Sequence, residues 1–319
     1  MQIAGPHIAN LFDYASYQGV EEQSLRKNLK EKDLDVCNPH NSVSESEFMA
    51  VFETLVHKMD NPHFGLYYGC YLNIKALGFI YELSINASSI EQAVLLLDQY
   101  LKTTFPLVTL TAIKTEGVYS LQLDCAIEDK VLKNHLIDTV YCFVYRELKL
   151  MLSNDFLPNL VLPYADVSEY SNLLDAEVKS GETHLIQLES KVLDSEINKK
   201  RVKEVELLLP QFMKMLTTNS YSGFSLQMRN MILNMCNPEL PTFAQVSNQF
   251  SLSDRTIQRK LTREGQSFRR ISDEIKKELS YYLAQGKQIK TQDIAYMLGY
   301  SEPSAYLHAV KRWEAEVEV

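Results

Sequence analysis

From residue 44 onward, apolar residues recur at helical spacing in some stretches and at every second position in others. Ser44 with Glu47 has the spacing of a capping box, in which the hydroxyl accepts from the Glu47 amide and the carboxylate reaches back. Phe48, Phe52, Leu55, Val56 and Met59 then fall on one helical face. Ser88 with Glu91 repeats the device ahead of Ala93, Val94, Leu97, Tyr100 and Leu101. Between these helices, residues 77–86 (LGFIYELSIN) predict a strand. Residues 107–114 and 118–125 are β-rich runs joined by Thr115-Glu116-Gly117, which predicts a hairpin. A long helix is expected from Glu128 to Leu152, then short strands at 159–162 and 183–188 around a helix near Ser168 to Leu174. Helices mixed with a mostly antiparallel sheet make residues 1–190 an α+β unit.

The pattern changes after that point. Glu196 to Leu216 reads as one helix, with Pro210 expected to kink or divide it. Its Val202, Val205, Leu208, Leu209 and Phe212 exceed what one packing side needs, so it serves either a homodimer contact or packing on its own domain. Residues 217–223 (TTNSYSG) are small and polar and read as a linker. Every periodic segment beyond them is helical.

Within that helical part the chain repeats itself at a period of 48: Val246-Ser247-x-x-Phe250-Ser251-Leu252-Ser253 aligns with Ile294-Ala295-x-x-Leu298-Gly299-Tyr300-Ser301. Each copy reads as a helix, a tight turn and a Ser N-cap opening a second helix. That is the helix-turn-helix plan, whose second helix enters the major groove of DNA. In copy one, Ile257 and Leu261 pack inward while Ser253, Arg255, Thr256, Gln258, Arg259 and Arg263 form the outward set. Arg matches guanine O6/N7, Gln matches adenine, and Thr suits a thymine methyl or a phosphate. In copy two the comparable set is Ser301, Glu302, Ser304, Ala305, His308, Lys311 and Arg312. Phe268, Ile271, Ile275, Leu279, Tyr282 and Leu283 mark a helix between the copies, closed by Gly286. At ~1.5 Å per residue it spans about 25 Å. With flanking helices added, two reading heads one turn of DNA apart, ~34 Å, fit on one chain.

Charge changes the picture in the same place. The 319 residues hold 32 Lys+Arg and 41 Asp+Glu, net −9, which argues against nucleic acid for the chain as a whole. Residues 221–319 hold 13 Lys+Arg and 11 Asp+Glu, net +2, leaving 19 and 30, net −11, for residues 1–220. The ending Glu314 to Val319 carries three of those acids, so residues 221–313 stand at +5. A basic module is attached to an acidic one.

The remaining chemistry narrows the function. Cys37, Cys70, Cys125, Cys142 and Cys236 are odd in number and never form C-x-x-C, which predicts a reduced, cytoplasmic setting and no cofactor. No basic start precedes an apolar run, and the longest aliphatic stretch, Ala93 to Leu97, is far below the ~18 residues of a membrane span. The seven histidines show no H-x-x-x-H or H-E-x-x-H spacing, and no nucleophile elbow, Walker loop or dinucleotide fingerprint follows a strand. No catalytic set and no metal site is expected. His57 and His63 flank a helix end, His135 reads as a hydrogen-bonded core residue, and Cys70 near Tyr67, Tyr68 and Tyr71 reads as packing or a pocket wall. A ligand-modifying enzyme with a helical appendage is the competing class.

Residues 252–268 (LSDRTIQRKLTREGQSF) and 293–306 (DIAYMLGYSEPSAY) resemble the two recognition segments of the AraC/XylS family of bacterial transcription regulators. Phe64-Gly65-Leu66-x-x-Gly69, Ser88-Ser89-Ile90-x-x-Ala93, Pro158-x-x-Val161 and Leu185-x-x-Leu188 to Leu193-Asp194 follow the order of that family's arabinose-binding-type regulatory domain. The resemblance implies an α+β N-terminal regulatory domain at 1–216, then an all-α DNA-binding domain at 224–319 made of two helix-turn-helix units joined by a long helix. It implies an activator that meets double-stranded promoter DNA and RNA polymerase, with a small-molecule effector or partner at the N-terminal domain. A repressor, or a ligand-independent protein-interaction regulator with weakened DNA binding, remains the alternative. The sequence departs from the family in copy one and at its end. Ser247 replaces the usual Ala, and Ser251 stands where a Gly favours the turn, at a cost near ~1 kcal/mol. His308 and Val310 replace Arg and Phe, and the acidic ending repels phosphate.

Overall fold

The computed structural model of the chain describes residues 1–72, 87–153, 156–217, 221–236, 239–250, 252–285 and 289–315. Contacts divide it into two compact units, one ending at Lys199 and the other beginning at Lys200. The expected strand at 77–86 lies outside the described residues.

The N-terminal unit opens with β1 (Gln2–Ala4) and α1 (Gly5–Tyr17), then α2 (Glu22–Arg26) and β2 (Ser42–Ser44), which pairs antiparallel with β1. Next come α3 (Glu45–Met59), α4 (Phe64–Tyr71) and α5 (Ile90–Thr104). The Ser44/Glu47 capping box opens α3 as expected. At α5 the register is one residue later than Ser88/Glu91. Ser89 accepts from the Gln92 amide, and the Gln92 carbonyl accepts from the Ser88 amide at 2.7 Å. The Gln92 side chain thus reaches the residue before the N-cap, so this start has the Ser89 cap without a reciprocal capping box.

The hairpin is present as β3 (Val108–Thr115) and β4 (Val118–Cys125), with Thr115 paired to Val118. The connection is therefore two residues rather than three, and Gly117 supplies it with φ +81°. Asp129 caps α6 (Lys130–Met151), accepting from the Val131 and Leu132 amides at 2.9 Å. β5 (Asn159–Leu162), α7 (Ser168–Leu174), β6 (Val178–Ser180) and β7 (His184–Glu189) complete the unit. The sheet order is β3-β4-β7-β5-β6, antiparallel except for β5 with β6. β6 is only three residues long, with one of them buried, so its sequence carries almost no alternation.

α6 is the spine of this unit, packing on both the sheet and α4. The Tyr141 hydroxyl donates to the Leu185 carbonyl on the sheet side at 3.0 Å. On the other side, Gly65 and Gly69 let α4 approach closely. A Cβ at Gly65 would lie 2.2 Å from the His135 carbonyl oxygen, and one at Gly69 would lie 2.8 Å from Cys142 Cβ. All eight residues of α4 are buried, leaving no polar face, which hides it from a search for amphipathic periodicity.

The C-terminal unit is helical: α8 (Lys199–Thr217), α9 (Gly223–Met235), α10 (Phe243–Ser247), α11 (Asp254–Arg263), α12 (Phe268–Gln285), α13 (Thr291–Met297) and α14 (Pro303–Ala315). α8 starts three residues later than expected and continues through Pro210. It belongs to this unit, although the polar run at 217–223 marks the boundary in the sequence. Val205, Leu208, Phe212 and Met215 are buried, and Arg201 pairs with Glu239 at 3.2 Å. Residues 218–220 of the expected linker lie outside the described residues.

Gly65→Ala should destabilise the protein by about 3 kcal/mol, because the new methyl meets backbone of α6 rather than a movable side chain. A lowered urea midpoint with unchanged slope is the expected reading. An unchanged midpoint would show that α4 and α6 part at little cost.

Candidate nucleic-acid interface

Two helix pairs, α10 with α11 and α13 with α14, sit on either side of α12 in the chain. In the first pair, Thr242 and Gln245 form a capping box that fixes the start of α10. Ser253 caps α11, accepting from the Thr256 amide. Ile257 and Leu261 are the buried residues of α11, while Arg255, Gln258, Arg259 and Arg263 are exposed and Thr256 is half-buried. Among the described residues no ion pair engages the three arginines of that set. Their guanidinium groups stay hydrated, and a long basic side chain on one helical face is a suitable partner for phosphate or base edges.

The far end of α11 is fixed by a carboxylate. Glu264 accepts from the Phe224 amide at 2.9 Å, the Ser225 amide at 2.7 Å and the Ser225 hydroxyl. It thereby caps the N-terminus of α9 from outside, where negative charge also suits the helix dipole. Burial opposes ionisation of Glu264, but the Ser225 hydroxyl and the two amides outweigh it and hold its pKa below the ordinary 4.5. Gly223 has φ +60°, and a Cβ there would lie 2.6 Å from Glu264 Oε1, so a side chain here would be strained and would displace the capping carboxylate.

In the second pair Gly299 takes φ +75° in the turn, as its place in the repeat requires. Its counterpart Ser251 lies outside the described residues. α14 starts at Pro303, one residue later than the match with copy one predicts, because proline suits the first helical position. Ser301 therefore stands outside the helix. Glu302 accepts from the Ser304 hydroxyl at 3.2 Å. Ser304, Ala305, His308 and Lys311 are exposed as expected. Arg312 is exposed too, but its guanidinium pairs with Asp273 of α12 at 2.5 Å.

α12 joins the two pairs, burying Ile271, Ile275, Leu279 and Leu283, with Phe268 and Tyr282 half-buried; Gly286 lies outside the described residues. The buried Ser280 hydroxyl meets the Tyr306 hydroxyl of α14 at 2.8 Å. Toward the other side, Glu278 pairs with Arg229 of α9 at 3.1 Å. Arg229 is 3% exposed and also donates to the Met215 carbonyl at 2.6 Å. One guanidinium thus ties α8, α9 and α12.

Residues 24–197 match the family described as the arabinose-binding domain of AraC transcription regulators, N-terminal. The chain belongs to the AraC family of transcription regulators. It is 22% identical to the HTH-type transcriptional regulator VqsM of Pseudomonas aeruginosa, over 96% of each chain. It is 20% identical to the ornithine utilization regulator of the same organism, over 96% of this chain and 92% of that one. The crystal structure of the transcriptional regulator CdpR from Pseudomonas aeruginosa aligns over 96% of this chain and 94% of that one, with 17% identity and a TM-score of 0.44.

The N-terminal unit of this AraC-family chain holds buried polar groups that the sequence pattern does not single out. Asp138, 1% exposed, accepts from the Tyr164 hydroxyl at 2.9 Å and the Tyr170 hydroxyl at 2.6 Å, and His184 Nε2 lies 3.1 Å from it. Burial first, then the Asp138 charge, raises both phenols, so they remain donors. Glu147 is fully buried, and neither carboxyl oxygen has a partner among the described residues. Burial pushes its pKa well above the usual range. His135 Nδ1 accepts from the Gly65 amide at 3.3 Å, and His57 Nδ1 meets the Glu53 carbonyl at 2.8 Å. Cys70 is fully buried beside the α4 tyrosines. Among the described residues no group of three His, Cys, Asp or Glu side chains is placed to hold a metal, and no helix is long and apolar enough to cross a membrane.

The Glu264 cap gives a pH-dependent prediction. A carboxyl with a folded pKa below its ordinary 4.5 contributes stability above pH 4.5 and loses it as pH falls through the folded value. Glu264→Gln should therefore lower Tm at pH 7, with the gap to wild type closing as pH drops below 4.5. A constant gap across that window would remove the ionised carboxylate from the account of α9.

Proposed function

We propose that the chain is a sequence-specific DNA-binding transcription regulator whose α10–α11 and α13–α14 pairs are helix-turn-helix reading heads. The exposed arginines of α11, with no ion-pair partner among the described residues, are the observation that carries this reading. Arg255, Gln258, Arg259 and Arg263 make the strongest DNA contacts, with Ser253 and Thr256 at the helix start. Ser301, Glu302, Ser304, Ala305, His308, Lys311 and Arg312 belong to the second head. Residues 1–199 receive control from a small molecule or partner, and the helical unit carries it to promoter DNA.

The family supports activation through RNA polymerase as the output. Repression differs from it only in where the bound site lies, and a reporter with the site moved across the promoter separates the two. Of the α8 residues that suggest a homodimer, Val205, Leu208 and Phe212 are buried within the chain itself, which leaves Val202, Leu209 and the 47% exposed Met213 for a second copy. Light scattering of the full chain gives its mass.

Arg259→Ala should weaken binding to the selected site by about 1–3 kcal/mol and relax specificity at one base position. Unchanged affinity and unchanged preference would remove Arg259 from the base-reading set.

A further inference from the structure

A cavity of about 380 Å³ lies between α12 and α14, more than ten times one water's ~30 Å³ share of the liquid. Its wall contains three cations, Arg269, Lys276 and Arg312, against one carboxylate, Asp273. Lys276 is half-buried, with its ammonium 4.5 Å above the ring of Tyr300. Burial lowers its pKa, and the Asp273 charge opposes that shift. Asp273 is already engaged by Arg312. Ser272 Oγ, also on the wall, is buried with no partner among the described residues. Ala305 and His308 also line it and belong to the outward set of α14, so the groove borders the proposed reading face.

Three cations, one carboxylate and an unused hydroxyl on a single wall are the complement of a phosphodiester. We propose that this groove seats one backbone phosphate of the DNA strand lying against the second head. Arg269 and Lys276 hold the phosphate, and Ser272 donates to it. Asp273 occupies Arg312 in the free protein and sets a limit on the second head's affinity. The inference rests on the DNA-binding reading and extends it to residues outside both proposed recognition sets. It also gives Asp273 a definite role, as an internal anion that competes with DNA for Arg312.

The test uses the full-length protein with a duplex carrying its selected site and an unrelated duplex, followed by anisotropy across a salt series. Arg269→Gln and Lys276→Gln should each weaken both duplexes alike, by about fivefold near 150 mM salt, and reduce the salt slope by about 1. Asp273→Asn should tighten both. Circular dichroism and Tm checks ensure that the variants fold. Unchanged slopes in folded Arg269→Gln and Lys276→Gln, with Arg259→Ala still impaired, would overturn the phosphate seat alone. If wild type binds neither duplex, or Arg259→Ala has no effect, the DNA-binding reading fails with it. A last arm titrates inorganic phosphate against the fluorescence of Trp313, the single tryptophan of the chain and the neighbour of Arg312. A phosphate response lost in Lys276→Gln, with DNA salt slopes unaffected, would make the groove a free-phosphate site and overturn the backbone assignment.

Discussion

The helical unit depends on one apolar stripe along α12. Ile271, Ile275, Leu279 and Leu283 are all buried, and burying such side chains stabilises by about 1.5–3 kcal/mol each relative to exposure. Beside the stripe, polar ties hold α9 to α12 through Arg229–Glu278 and α14 to α12 through Ser280–Tyr306. With the stripe covered, α11 and α14 turn mostly polar side chains outward, although Leu307 of α14 stays 48% exposed. Their exposed Arg, Gln, Lys and His residues follow from that geometry. Glu264 completes the arrangement by joining the end of α11 to the start of α9 through three hydrogen bonds.

The sequence made this unit legible where two signals agreed. At α11, the Ser253 cap, the inward Ile257 and Leu261 and the internal repeat all point to the same helix. At α14 the repeat alone gives a start one residue too early, because the alignment does not weigh Pro303. The role of Glu264 was not legible: its partners Phe224 and Ser225 lie about 40 positions earlier, and nothing local marks a glutamate as a cap for another helix. The same holds for Arg229, whose burial depends on two helices distant in the chain. In the N-terminal unit, α3, α5 and α6 were readable from caps and periodicity, whereas α4 is apolar on every side and β6 is too short to alternate.

Both units satisfy some buried polar groups and leave others without a hydrogen-bond partner among the described residues. In the helical unit Arg229 is satisfied by a carbonyl and a carboxylate, so its charge is compensated where it lies. In the N-terminal unit Asp138 gathers two phenols and an imidazole, while Glu147 lies in the same helix with no donor among the described residues. A fully satisfied network fixes one packing arrangement.

The central claim is that one chain carries two working reading heads on a shared helical spine. It is tested most directly by selecting bound fragments from sheared genomic DNA with the purified full-length protein at about 150 mM salt, and sequencing them. The account requires one enriched motif with two blocks about 10 base pairs apart. Enrichment of a single block, or of none, would contradict it.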